Sequence, residues 1–422
     1  MDTNKNTTLS TQSVLPSGWR WVKLGEVCEL NPPKPKGFYR LPDAPTTFVP
    51  MSVVDEKTGN VAKPEIVPYK RVSKGYTYFE EDDVLFAKIT PCMQNGKHVI
   101  ARNLIDGIGF GTTEFHVLQP TSGILPEWIW YFIRQPYFLK EAIYYFTGSV
   151  GQQRVPDDFL ADYTIPLPPT EEQKRVIAEI QELMQEIERA KASCEKQLDA
   201  ANALSASYLR QVFESDEAKK WERKRLGDVC EAESGIWGDE PDGSSECYSV
   251  LRSNNIQDGK MVFDEIAIRK VETKYLENKS LKTGDILVTT SSGSKDLLGK
   301  SAFFTQPSDR KTYLFSNFTI RLRTKNEIIN SSFLYFYLQS PEAKETLKLL
   351  QDTTTGLRNL DRKEFLNQTL PVPTLEIQRK VVGELKEKIG QAENLQSILR
   401  NQQSTIDALP QSILKKAFRG EL

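Results

Sequence analysis

Ile165 to Phe213 reads IPLPPTEEQKRVIAEIQELMQEIERAKASCEKQLDAANALSASYLRQVF, and Leu370 to Phe418 reads LPVPTLEIQRKVVGELKEKIGQAENLQSILRNQQSTIDALPQSILKKAF. Pro166 and Pro371, Gln173 and Gln378, Leu204 and Leu409, and Phe213 and Phe418 all stand 205 positions apart. One long helical stretch therefore occurs twice, and the chain reads as a duplication. In the first copy Val176, Ile180, Leu183, Ile187, Ala190, Cys194, Gln197, Ala201, Leu204 and Tyr208 follow each other by alternating fours and threes. Val381, Leu385, Lys388, Ala392, Leu395, Leu399, Gln402, Ile406, Leu409 and Ile413 do the same in the second. A seam sustained over nearly five heptads predicts helix-on-helix pairing, with each helix about 65 Å long at 1.5 Å per residue. Lys388 breaks the pattern, and its neighbour Ile389 can fill the gap. Gln197 and Gln402 occupy equivalent seam positions, where they either fix the register or turn outward to solvent.

Two copies in one chain can satisfy each other, so the expected pairing is intramolecular and antiparallel; pairing between chains would give a dimer instead. The predicted arrangement is a rod with a globular domain at each end, related by a pseudo-twofold axis. The fold class is α+β, with two tandem-repeat globular α/β domains joined and separated by the two helices. The boundaries read as a leader at 1–15, a first domain at 16–168, a first helix at 169–214, a second domain at 215–372 and a second helix at 373–422.

A chain of 422 residues with 39% hydrophobic and 27% charged residues has the make-up of an ordinary folded protein of two or three domains. No stretch approaches the roughly 20 apolar residues that span a bilayer. The polar start MDTNKNTTLSTQSVL lacks the apolar core of a secretory signal, which predicts a cytoplasmic protein with no membrane role. Five cysteines without a CxxC pair, beside two histidines, give neither a disulfide framework nor a zinc site. A net charge of -2 offers no overall attraction to polyanions, so a nucleic-acid surface has to be a local patch.

The repeat extends through the globular parts. WRWVKLGEVCE from Trp19 is answered by WERKRLGDVCE from Trp221, and Cys28 and Cys230 inside these apolar phrases read as buried core thiols. Strands around Val49 and Val250 close on turns at Gly59 and Gly259. Asp83-Val84-Leu85 matches Asp285-Ile286-Leu287, a strand entering a loop that differs between copies yet returns through Gly96-Lys97 or Gly299-Lys300. TTEFHVL near Phe115 answers FSNFTIRL near Phe318, and WIWYFIRQP answers FLYFYLQSP as a short aromatic helix stopped by proline. A polar loop follows in each copy, TGSVGQQRV or TTTGLRNL. Then Pro-punctuated linkers launch the long helices, with Thr170 and Thr374 as N-caps. A shared framework carrying unlike loops is what two different surfaces on one scaffold require.

Several motifs fall short of catalysis. A phosphate-binding loop needs four residues between its glycines, and five separate Gly293 from Gly299. Asn31-Pro32-Pro33 resembles the NPP[YF] signature of amino-methyltransferases, but Lys34 replaces the stacking aromatic and no glycine-rich cofactor loop precedes it. Gly107, Gly109 and Gly111 do not fit GxGxxG, and neither His98 nor His116 has a nucleophile or carboxylate at triad spacing.

The order of these phrases, W-x4-LGxVCE twice, DDVLFAK and GDILVTT, GQQRV before IPLPPTEEQKRVI, and LPVPTLEIQRKVV before SILKKAFRGEL, resembles the specificity subunit of type I restriction-modification systems. The likeness covers nearly the whole chain beyond residue 16. It implies a non-catalytic subunit whose two target recognition domains each read one half of a bipartite double-stranded DNA site, with the paired helices setting the spacer. It further implies docking of two methyltransferase subunits, which carry S-adenosylmethionine, and an assembly that can add two ATP- and Mg-dependent motor-nuclease subunits. On that reading this chain itself holds no cofactor and no metal. Two other classes compete: a coiled-coil scaffold whose end domains bind proteins, and an enzyme fused to its own recognition module.

Base edges are read by Arg, Lys, Asn, Gln and Ser/Thr, and phosphates by Lys and Arg. The donor-rich loops make Lys88, Thr90, Gln94, Asn95, Lys97, Gln152, Gln153 and Arg154 the DNA-binding candidates of the first domain. Arg252, Asn254, Asn255, Ser291, Ser292, Lys295, Lys300, Arg358 and Asn359 are those of the second.

Overall fold

A computed structural model describes residues 15–56, 58–61, 63–149, 152–243, 246–291, 298–352 and 360–422, the side chains of 350–352 excepted. The chain divides into two compact units, one formed by 1–193 with 402–422 and the other by 194–401.

Unit 1 contains strands β1 (Arg20–Lys23), β2 (Cys28–Leu30), β3 (Pro45–Val49), β4 (Glu65–Pro68), β5 (Thr77–Glu80), β6 (Val84–Ala87), β7 (His98–Ile100), β8 (Ile108–Gly111), β9 (Phe115–Pro120) and β10 (Thr164–Leu167). Its helices are α1 (Leu24–Val27), α2 (Tyr69–Val72), α3 (Pro126–Ile133), α4 (Pro136–Tyr144), α5 (Asp157–Asp162) and the first part of α6 (Thr170–Phe213). Strands β2-β9-β6-β7 form an antiparallel sheet, β4-β3-β8-β5 form a second sheet in which β3 and β8 run parallel, and β1 pairs with β10. The run VLFA of β6 is buried throughout, because alternate residues serve two cores. Val84 and Phe86 pack with Trp128, Phe132 and Phe138 of α3 and α4. Leu85 and Ala87 face Val49, Phe79 and Phe115 of the strands around them.

Unit 2 repeats this plan with β11 (Arg223–Arg225), β12 (Cys230–Ser234), β13 (Cys247–Leu251), β14 (Ile256–Gln257), β15 (Lys260–Met261), β16 (Ala267–Lys270), β17 (Ile286–Thr289), β18 (Ser301–Phe303), β19 (Tyr313–Phe315), β20 (Thr319–Thr324) and β21 (Thr369–Pro371). Helices α7 (Leu226–Val229), α8 (Leu276–Lys279), α9 (Ser331–Gln339), α10 (Pro341–Asp352), α11 (Arg362–Asn367) and the first part of α12 (Leu375–Ala417) follow, with the last part of α6. The sheet β12-β20-β17-β18 has the order of β2-β9-β6-β7, and parallel β13/β19 answers β3/β8. Again Ile286 and Val288 face the helices while Leu287 faces the strands. Pro136 and Pro341 do more than stop the aromatic helices: each stands at the first position of a second helix that the sequence reading missed.

Gly59 and Gly259 hold left-handed turns at φ +65° and +79°. A Cβ at Gly59 would stand 2.3 Å from Trp130, and the Tyr335 hydroxyl, at the equivalent place on α9, donates to the Gly259 carbonyl at 2.7 Å. Cys28 and Cys230 are buried core thiols, as the repeat phrase predicts.

The long helices run antiparallel inside each unit. In unit 1 Lys191 pairs with Asp407 at 2.8 Å and Arg175 donates to the carbonyl of Leu422 at 2.9 Å. In unit 2 the Cys194 thiol donates to Leu399 O at 3.5 Å, Gln396 donates to Ala201 O at 3.1 Å, and Lys388 lies 5.6 Å from the Tyr208 ring. The seam is thinner than its heptads predict. Ile180, Ile187, Cys194 and Ala201 are buried, as are Leu385, Ala392, Leu399 and Ile406, each set spaced by sevens. The alternate positions Ala190, Gln197, Gln402 and Leu409 are exposed, which favours the outward reading of the two glutamines. Ile389 packs beside Lys388 as expected.

The start of each helix is pinned by a buried glutamine. Gln173 donates to Pro168 O at 3.1 Å and accepts from Leu125 N at 2.9 Å; Gln378 donates to Pro373 O at 2.7 Å and Ile328 O at 3.1 Å and accepts from Asn330 N at 2.7 Å. The Thr170 hydroxyl donates away from its own helix, to Gly123 O. Among the described residues no helix is long and apolar enough to cross a membrane.

Candidate nucleic-acid interface

In each unit one sheet edge gathers three chain segments. The strand that follows Asp83 or Asp285 ends at Ala87 or Thr289, and the next residue, Lys88 or Thr290, donates its amide to the carbonyl of the residue entering the neighbouring strand. That residue is Glu114 in unit 1 and Phe318 in unit 2, both at 2.9 Å. The returning polar loop then closes on the same place: Val155 N donates to Lys88 O at 3.0 Å, and Leu360 N donates to Thr290 O at 2.8 Å. The backbone frame is shared; the side chains mounted on it are not.

In unit 1 the frame brings Lys88, Thr90, Gln152, Gln153 and Arg154 into one cluster. Ile89 bridges Arg154, Thr90 N donates to Gln153 O at 3.0 Å, and the Thr90 hydroxyl reaches Gln94 Oε1 at 2.6 Å. Arg154 donates from Nε and Nη2 to the two carboxylate oxygens of Glu114, each at 2.8 Å, and from Nη1 to Gln152 O at 2.9 Å. The guanidinium holds the Glu114 carboxyl below its usual range, so the pair stays ionised. Burial lowers the Lys88 ammonium, and the Arg154 charge adds to that while Glu114 and Asp157 oppose it. Gln94 and Asn95 are exposed beside an open depression of about 390 Å³ that Arg134 and Lys140 also line. Lys97 turns inward to Met51 O at 3.3 Å.

His116 ties this cluster to the Asn31-Pro32-Pro33 turn. Its Nε2 donates to Val155 O at 2.8 Å, which leaves Nδ1 to accept from Asn31 Nδ2 at 3.2 Å. Asn31 sits at φ 50° and also accepts from Val117 N. The proline-rich turn is thus a structural support. His98 is stacked on Phe86 with ring centroids 4.3 Å apart and accepts from Ala87 N; burial holds it well below its ordinary pKa.

In unit 2 Phe318 is 42% exposed and meets Trp237, itself 39% exposed, with ring centroids 5.8 Å apart. Arg269 stacks over Trp237 at 4.9 Å. Ser291 joins this edge through its amide to Phe318 O at 3.3 Å, and Lys300 O accepts from Thr289 N. Arg252 donates to Glu265 O at 3.0 Å, and Asn254 is exposed. Asn255 is buried with its amide spent on Val262 O, Asp264 O and Arg252 N, which makes it a support for the turn rather than a surface donor. Ser292, Lys295, Arg358 and Asn359, with Gly293 of the glycine-rich loop, lie outside the described residues.

Glu114, Phe318, Trp237 and Arg269 escaped the sequence reading. The signal was present but shifted by one: aligning Phe115 with Phe318 hides that Val84 pairs with Leu118 and Ile286 with Leu322, so Phe115 answers Thr319. Phe115 is 1% exposed inside β9, whereas Phe318 precedes β20 at the surface. Among the described residues no group of three or more His, Cys, Asp or Glu is placed to hold a metal ion.

The two α+β units follow one plan and mount unlike side chains on its equivalent sheet edge. The family described as type I restriction modification DNA specificity domain matches residues 16–194 and 218–399, and the chain belongs to it. It is 36% identical over 207 residues to the type I restriction enzyme EcoEI specificity subunit of Escherichia coli, a match covering 49% of this chain and 34% of that protein. The chain thus spans about a third of the length of that relative. A chain solved in work on complex assembly and conformational transition of the type I R-M system shares the fold at TM-score 0.75 and 23% identity, over 97% of this chain and 100% of that one. The HsdS subunit from Thermoanaerobacter tengcongensis shares it at TM-score 0.64 and 22% identity, over 97% and 98%.

Proposed function

We propose that this type I restriction-modification specificity subunit reads a bipartite double-stranded DNA site, one half with each unit, and that its long helices set the spacing between the halves. The observation that carries the reading is the repeated edge: identical backbone hydrogen bonds at Lys88/Glu114/Val155 and Thr290/Phe318/Leu360 present an ion pair in one unit and an aromatic pair in the other. Two unlike half-sites need such unlike groups on one frame. Lys88, Thr90, Gln94, Asn95, Gln152, Gln153 and Arg154 serve the first half-site, and Asn254, Ser291, Ser292, Lys295, Lys300, Arg358 and Asn359 the second.

Catalysis then belongs to methyltransferase subunits carrying S-adenosylmethionine, and cleavage to ATP-dependent motor-nuclease subunits where the assembly includes them. The second helix supports docking of such partners, because Leu395 and Ile398 leave 41% and 54% of their surface exposed on one stretch of α12. Mapping methylated bases across the genome of cells with and without this gene tests the function. A split motif that disappears on deletion is expected; an unchanged methylation pattern overturns the reading.

A further inference from the structure

Arg154 has five N–H donors, and the three hydrogen bonds it makes use one each from Nε, Nη2 and Nη1. Glu114 grips the side-on fork, Nε with Nη2, and fixes the plane of the guanidinium. Among the described residues two N–H groups are left without an acceptor, one on each terminal nitrogen. A planar guanidinium with those two donors to spare matches a pair of acceptors on one edge. The O6 and N7 of a guanine in the major groove are such a pair, and so are two oxygens of one phosphate.

The frame favours the base edge. A phosphate contact needs only charge, and Lys88 supplies that nearby without a planar support. A carboxylate placed beside an arginine lowers the local positive charge, which weakens a phosphate contact while sharpening the direction of a base contact. The equivalent position of unit 2 carries Phe318, which has no carboxylate to hold a fork and offers an apolar edge instead.

We propose that Glu114 is a specificity-determining positioning residue, which holds Arg154 so that its free terminal N–H pair reads one guanine in the half-site of unit 1. The proposal rests on the DNA-reading function above and adds the base and the residue pair to it.

The test is selection of bound duplexes from a randomised pool by the full chain assembled with its methyltransferase partners, comparing wild type, Arg154→Lys and Glu114→Gln. Wild type should enrich a two-part motif with a G·C pair at one position of one half-site. Arg154→Lys keeps the charge and loses the fork, and Glu114→Gln keeps the shape and releases the grip. Both should lower the preference for guanine at that position by about tenfold, the order of one bidentate base contact, and leave the other half-site unchanged. Thermal unfolding of each variant checks that the fold is retained, and the two independent substitutions keep the outcome readable when one of them is unstable. The proposal is overturned if both variants retain the guanine preference, or if Arg154→Lys binds like wild type while Arg154→Ala weakens all sequences uniformly and flattens the salt dependence, the mark of a phosphate contact. A wild-type complex that enriches no motif removes the DNA-reading function itself, and this proposal with it.

Discussion

Arg323 grips the buried carboxylate of Asp285 through Nε and Nη2, each at 2.8 Å, whereas the equivalent aspartate of the first unit, Asp83, has the neutral amide of Gln119 in the place of the arginine. The equivalence follows from register, since Val84 faces Leu118 and Ile286 faces Leu322. Both aspartates accept a backbone N–H three residues upstream, from Glu80 and Lys282, both at 2.7 Å, so the turn they brace is the same. Only the charge balance differs.

Arg323→Gln copies the first unit into the second and leaves Asp285 buried without its cation. Breaking a buried pair by removing one partner costs about 3–5 kcal/mol. Urea unfolding of the full chain at pH 7.5 should lose that amount from the transition of unit 2, and Arg323→Lys should lose less because it keeps a charge.

Asp83 responds to pH instead. Burial is the main cause that pushes its carboxyl from 3.8 up to about 6, and the nearby Glu80 and Glu29 carboxylates add to the rise. The folded value lies above the unfolded one, so the folded state disfavours the ionised form. The penalty is full above pH 6, shrinks as pH falls through 6, and is gone below 3.8. Asp83→Asn should therefore stabilise the protein at pH 7.5 by about 3 kcal/mol, at roughly 1.4 kcal/mol per pH unit, with the difference from wild type vanishing toward pH 4. Taking the difference at each pH cancels the contributions of His98 and His116. A constant difference across pH 4–7.5 would show that Asp83 does not titrate in this range.

The cysteines divide by burial. Cys28 and Cys230 are pushed up to about 12 by burial, which leaves almost no thiolate at pH 8, and Cys194 is enclosed between the helices. Iodoacetamide at pH 8 should label the half-exposed Cys92 and Cys247 and spare the other three, as read by peptide mass analysis. Modification of Cys28 before Cys92 would contradict the packing of the first core.

The helix anchors and the matched strands were legible in the sequence because duplication repeats whatever the fold needs. Gln173 and Gln378 recur at one offset, yet a glutamine in a polar run carries no sign that it will be buried; its role depends on carbonyls such as Gly123 and Ile328, about fifty residues upstream. The seam was over-read for a related reason. Heptad spacing shows which residues share a stripe, and it cannot show that burial along the middle of the helices is deepest at every seventh residue while Ala190 and Leu409 stay exposed. At the sheet edge of unit 1 the donor-rich loops converge, while Phe318 and Glu114 were hidden by a one-residue slip that turns a buried phenylalanine into an exposed one.

The spacer role proposed for α6 and α12 makes the sharpest demand on these helices. Their buried row repeats every seven residues, from Ile180 to Ala201 and from Leu385 to Ile406, so one heptad inserted in each keeps every knob in phase and lengthens each helix by about 10 Å. Three added residues in each would rotate the row off its partner and should unfold the pairing. The heptad pair should therefore yield a stable protein whose methylation motif keeps both half-sites and gains about three base pairs between them, at roughly 3.4 Å per pair along one strand. Base-resolved methylation mapping reads the spacer directly, and an unchanged spacer in a folded heptad variant would assign the spacing to something other than helix length.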